Sequence, residues 1–176
     1  LAAFNEGDSE KLLRHYYVGQ RKIDFYSNYP IDSANHRISK IIIAVHGTLR
    51  EASGRFDAVY EAVKSRGQES HVLVIAPRFK TVDDSPDEDD YFWSSVGWKQ
   101  GNTSNNGVDD ISSFQIIDSM VENIITGGFF LGLSNISITG HSAGGQYTEY
   151  YALTSPIPSC FSRIAFDFLV ANPSNY

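Results

Sequence analysis

Ser137-Ile-Thr-Gly-His-Ser-Ala-Gly-Gly-Gln146 is the stretch that decides how this chain folds. It holds Ser142 between Gly140 and Gly144, and an alternating run, Ile136 to Thr139, precedes it. Gln146 to Leu153 can continue as a helix. A strand, a sharp turn flanked by glycines and a helix form the setting in which a serine becomes a nucleophile elbow. Such a turn holds its serine in a strained backbone conformation, and side chains at Gly140 or Gly144 would collide with strand or helix. The N–H groups that open the helix, beginning with Ala143, can then face a developing oxyanion. The competing readings are an ordinary glycine-rich turn and a phosphate cradle. The stretch lacks the Lys-Ser/Thr ending of a P-loop and the G-x-G-x-x-G spacing of a dinucleotide fold.

Working outward, the pattern is one of alternating strands and helices. Tyr16 to Tyr26 reads as strand, with Gly19-Gln20 as a hairpin turn or a bulge, and Asn28 to Arg37 as a loop. Ile41-Ile-Ile-Ala-Val45 is a continuous apolar run of the kind found in strands covered on both faces. It ends in His46-Gly-Thr-Leu-Arg50. Phe56, Val59, Tyr60 and Val63 recur at helical spacing, with Gly67 as a stop. His71 to Ala76 is a second buried strand, closed by Pro77. A broad apolar helix over Ile111 to Ile125, capped by Asp109 or Asp110, ends at Gly127-Gly128. Ile164 to Ala171 is a last strand, ended by Asn172-Pro173. The sum predicts a mostly parallel sheet with helices on both faces.

Residues 78–108 read as a long irregular insertion. Its run from Asp83 to Asp90 is strongly acidic, and a solvated loop is favoured over a cation site because the spaced ligands and glycine of an EF-hand loop are missing. Both tryptophans of the chain, Trp93 and Trp98, lie here. Each suits core packing under a loop; together they can also wall a substrate cleft, since loops of this length are often functional.

The 176 residues suit one domain with a sizeable core. A net charge of −7 disfavours nucleic acid and anionic membrane surfaces as partners. No apolar run approaches the ~20 residues that span a bilayer. The single cysteine, Cys160, rules out an intrachain disulfide and any multi-cysteine metal site. The sequence opens on Leu1 rather than methionine and carries N-x-S/T sequons at Asn102 and Asn135, which leans toward an extracytoplasmic protein.

Three segments, in order, resemble the α/β-hydrolases: Ile41 to Thr48, the strand and His-Gly turn; Gly140 to Gly145, the elbow; and Phe166 to Pro173, the strand after the elbow helix. The fuller pattern adds Arg50, Trp93, Gly97-Trp98, Gly101 and Ser112-Ser-Phe114 and is similar to a group of bacterial and fungal serine hydrolases. The likeness covers roughly residues 16–176. It implies Ser142 as the nucleophile and the N–H groups of Thr48 and Ala143 as the oxyanion hole, with no cofactor and no metal. His46 and His141 match motif positions beside the site, and neither is the base in this family.

One departure is large. In this fold the acid and then the histidine follow the serine. All five histidines (15, 36, 46, 71 and 141) precede Ser142, and the only carboxylates after it are Glu149 and Asp167. Some relatives place the acid at the end of the strand after the elbow, where Asn172 stands. A serine without a base is a weak nucleophile. The expectation is therefore one incomplete hydrolase domain over 1–176, acting on a small-molecule ester. A C-terminal continuation or second chain of about 80–120 residues would supply the triad histidine, its acid and further strands. The alternatives are a catalytically dead binding or scaffold protein and an acyl transferase.

Overall fold

A computed structural model describes residues 11–174. The polar opening of the chain, residues 1–10, lies outside the described residues. A hairpin begins the fold: β1 (Leu12–Val18) pairs antiparallel with β2 (Arg21–Ser27). Gly19 turns it at φ +62°, a conformation that glycine adopts without steric cost. Then follow β3 (Lys40–Val45), α1 (Ala52–Lys64) and β4 (Val72–Arg78). After the 79–108 segment come α2 (Ser113–Thr126), β7 (Asn135–Ser142), α3 (Ala143–Thr154), the single turn α4 (Ile157–Cys160) and β8 (Ala165–Pro173).

The six-stranded sheet has the order β1-β2-β4-β3-β7-β8. β2 joins β4 antiparallel, whereas β4, β3, β7 and β8 are mutually parallel. Side-chain alternation along the parallel strands sorts the core into two layers. Ile41, Ile43 and Val45 of β3 face α2 and α3, together with Leu73, Ile136 and Ile138. Ile42 and Ala44 face the other way, onto Phe56, Tyr60 and Val63 of α1. Helices therefore cover both faces, as parallel strands require.

The structure moves several expected boundaries. β4 continues through Pro77 to Arg78. Its last pairing with β3 is Ile75 with Ile43, so the missing N–H of Pro77 interrupts no ladder on that side. The cap of α2 is Ser112 rather than Asp109 or Asp110. Its hydroxyl accepts from the N–H of Phe114, and Gln115 reaches back to the N–H of Ser112, a capping box. Asp110 instead accepts from Ser104 and Gly107 within the preceding turn.

The acidic stretch is less a solvated loop than a fastening. Lys80 pairs with Asp24 at 2.7 Å and with the fully buried Asp90 at 2.5 Å, and Lys22 holds Asp89. The segment also forms a small parallel pairing of β5 (Lys80–Thr81) with β6 (Phe92–Trp93). β8 ends the sheet and has β7 as its neighbour. Phe166 and Phe168 turn toward the core, whereas Leu169 and Val170 are 54% and 42% exposed. This rim is mostly apolar, with Asp167 its single charged residue, where a guarded edge usually carries more.

Candidate active site

β7 runs directly into α3, and Ser142 stands at the junction with φ +56° and ψ −121°. Non-glycine residues rarely take a positive φ, and holding one there costs about 1–3 kcal/mol unless its surroundings enforce it. The surroundings are backbone. A Cβ on Gly140 would lie 2.0 Å from the carbonyl oxygen of Gly144. A Cβ on Gly144 would lie 2.5 Å from the carbonyl oxygens of Val45 and His46. A Cβ on Gly145 would meet the Ala171 carbonyl at 2.6 Å. The first turn of α3 thus threads between the ends of β3, β7 and β8, and only glycine fits. Ala143, the first residue of α3, is buried, and an N–H at that position has no acceptor within its own helix.

The turn after β3 lies alongside. A Cβ on Gly47 would lie 3.9 Å from the carbonyl oxygen of His141, and Thr48 and Ser142 line one open cleft of about 430 Å³ with Leu49, Glu51 and Arg55. Among the described residues the N–H of Thr48 donates to no group. The fold therefore brings Thr48, Ser142 and Ala143 to one end of the parallel strands.

His46 is fully buried beneath this turn. The N–H of Phe79 donates to its Nε2 at 2.9 Å. Nε2 must then be the acceptor, and Nδ1 carries the proton that it donates to the Gly47 carbonyl at 2.9 Å. Burial pushes its pKa down to about 4, only partly offset by the bond to Gly47, so the ring is neutral. Both nitrogens are engaged away from Ser142. His141 is exposed, within 3.4 Å of the Asn172 amide. No histidine hydrogen-bonds Ser142 among the described residues.

The two carboxylates after Ser142 lie away from it. Asp167 sits opposite Ser137 and accepts from Asn135 at 2.8 Å. That register is five residues up β7, about 16 Å along the strand. Glu149 is half-buried in the second turn of α3.

Of the two roles open to Trp93 and Trp98, core packing under a loop and a cleft wall, their burial matches the first. Trp93 and Trp98 are fully buried. Trp98 stacks on Phe79 and lies 4.6 Å from the His46 ring, and Trp93 meets Phe79 edge-on. They form a floor beneath the turns, because rings of this size are worth more in a packed interior than at a rim. For a metal, Asp87, Asp89 and Asp90 come within 4.8 Å of one another, but Lys22 and Lys80 already neutralise two of the three.

Two residues about the site carried no role in the sequence reading. Arg50 was only part of a motif, and Asp84 was one acid among several. The structure joins them at 2.6 Å. Their separation of 34 positions hides the pair from any local pattern.

The arrangement, a mostly parallel sheet with helices on both faces, has the fold of the α/β-hydrolases. Among solved structures the chain is similar to LpqC, a poly(3-hydroxybutyrate) depolymerase from Bordetella parapertussis. The TM-score is 0.59 at 19% identity, over 86% of this chain and 50% of that one. It is also similar to poly(aspartic acid) hydrolase-1 from Sphingomonas sp. KT-1, with a TM-score of 0.52 at 22% identity, over 79% of this chain and 50% of that one. The chain thus spans about half the length of these matched structures. No family model matches the sequence, and no curated protein does. No helix of the described residues is long and apolar enough to cross a membrane.

Proposed function

We propose that the protein is a serine hydrolase of carboxylic esters whose nucleophile is Ser142. The observation that carries this reading is the Ser142 backbone at φ +56°, held by three glycine contacts and open to a cleft that it shares with Thr48. Ser142 attacks the ester carbonyl of a small-molecule substrate, and the N–H groups of Thr48 and Ala143 hold the oxyanion. The histidine that accepts the serine proton, and the acid that orients it, come from polypeptide beyond these 176 residues, either a continuation or a second chain. Three facts favour that source: no histidine among the described residues bonds Ser142, β8 presents a mostly apolar rim with Asp167 its one charge, and the chain spans about half the length of the structures it matches.

That no histidine among the described residues bonds Ser142 also favours a second reading, in which the fold has lost its triad and serves as a binding or scaffold protein. Intact mass measured beside fluorophosphonate labelling separates the two. Label on Ser142, lost in Ser142→Ala, with a larger mass or a companion chain carrying a histidine, supports the hydrolase. A mass of 19.6 kDa, no companion and no label would leave the binding protein.

A further inference from the structure

The turn that carries Thr48 is pinned from outside. Peptide units are planar and trans, so the carbonyl of Gly47 and the N–H of Thr48 point in opposite directions, and fixing one fixes the other. The Gly47 carbonyl accepts from the His46 ring at 2.9 Å and from the N–H of Arg50 at 3.0 Å. The next carbonyl, that of Thr48, accepts from Nη1 of Arg50 at 2.9 Å. Both peptide planes flanking the Thr48 α-carbon are thereby held.

Each pin is itself anchored on the segment just after β4. The His46 ring is set by the N–H of Phe79. Arg50 is set by Asp84, whose Oδ2 accepts from its Nε at 2.6 Å and from the N–H of Thr81 at 2.8 Å. Arg78 approaches the other oxygen of Asp84 at 3.3 Å. The Arg50 and Asp84 side chains are only 15% and 10% exposed, which separates this pair from an ordinary surface ion pair. Arg50 also sits at φ +58°, a conformation that an arginine keeps only where its contacts over-determine it. Nothing about the stability of the turn alone calls for an arginine there; glycine or asparagine would suit the backbone better.

We infer that Asp84 and Arg50 are positioning residues that aim the Thr48 N–H at the oxyanion, so that the 79–84 segment sets the geometry of the hole. The inference rests on the hydrolase reading for its purpose and on the hydrogen bonds for its geometry. The clamp acts through the carbonyls of residues 47 and 48 and touches no substrate. It aligns the donor before the reaction, as oxyanion stabilisation requires.

The test uses the purified protein with any companion polypeptide retained, and the variants Asp84→Asn, Arg50→Asn and Arg50→Lys. Asparagine tolerates the left-handed backbone of position 50, so the turn is not broken by strain. The residual dipolar coupling of the Thr48 N–H reads its orientation directly, with the amides of β4 as the reference for an intact fold. The rate of Ser142 labelling by a fluorophosphonate reads the consequence. Arg50→Asn and Asp84→Asn are expected to change the Thr48 coupling, leave the β4 couplings in place and slow labelling about tenfold or more. Arg50→Lys, which keeps the charge but not the fork, is expected to fall between. An unchanged Thr48 coupling in Arg50→Asn overturns the clamp whatever the labelling does. A changed coupling with undiminished labelling overturns its positioning role. A wild type that takes no label defeats the hydrolase reading instead, and the coupling still decides the clamp.

Discussion

Gly144 lies against the backbone of His46, so close that a Cβ on the glycine would sit 2.5 Å from the histidine carbonyl oxygen. The start of α3 and the end of β3 are therefore one packed unit. The contact is to backbone, which cannot rotate aside. Gly144→Ala is expected to destabilise the protein by about 1–3 kcal/mol through overpacking, read as a lower urea midpoint. Gly54→Ala is the control, since a Cβ there meets nothing within 4 Å and the residue lies inside α1. Equal midpoints for the two variants would refute the packing argument.

Strain at Ser142 makes an opposite prediction. At φ +56° and ψ −121° the serine occupies backbone space that glycine enters freely. Ser142→Gly should raise stability by about 1 kcal/mol, the relief of strain outweighing the added freedom of the unfolded chain. The same change should abolish fluorophosphonate labelling. A variant less stable than wild type would show that the turn is not strained.

His46 makes stability depend on pH. Its folded pKa of about 4 lies below the ordinary value of 6.5 because burial disfavours the charged ring. Below pH 6.5 the unfolded chain binds a proton that the folded one refuses, so stability falls as pH drops from 6.5 to about 4 and then levels. The loss across that window is about 3 kcal/mol. His46→Gln, which can keep one donor and one acceptor, should flatten that part of the profile. An unchanged slope in urea melts at pH 6.5, 5.5 and 4.5 would assign the dependence to another group.

The Lys80 pair offers a harsher test. Its ammonium serves Asp24 and the fully buried Asp90. Burial alone would lower its pKa, but its bonds to the two aspartates raise it above the usual lysine value. Lys80→Met would leave two carboxylates without their shared cation and should cost about 3–5 kcal/mol. Lys64→Met, which removes an exposed partner of Glu61, should change stability by less than about 1 kcal/mol. Similar losses in both would mean that the 79–90 segment is fastened by something other than this charge.

Much of this molecule can be read from short stretches of chain. Ile41 to Val45, with no polar residue in five, has to lie between two covered faces, and it does. Gly140 and Gly144 around Ser142 announce a turn that only glycine allows, and the backbone contacts at both positions give the reason. In each case the cause and its effect lie within a few residues of one another.

Other features depend on residues far apart in sequence. Trp93 and Trp98 carry no local sign of whether they wall a cleft or pack in the core. Their burial follows from Phe79, Tyr147 and His46 arriving from three separate parts of the chain. Asp84 and Asp90 read as members of one acidic run, yet each is claimed by a cation set elsewhere in the fold: Arg50 after β3 for the first, Lys80 in β5 for the second. The sequence by itself determined the parallel sheet and the glycine-flanked strand–helix turn that carries Ser142, because hydrophobic period and backbone sterics act locally. Only the tertiary structure decided which charges are neutralised, which aromatics are buried and how the Thr48 peptide is held, because those depend on contacts that exist only once distant segments have packed.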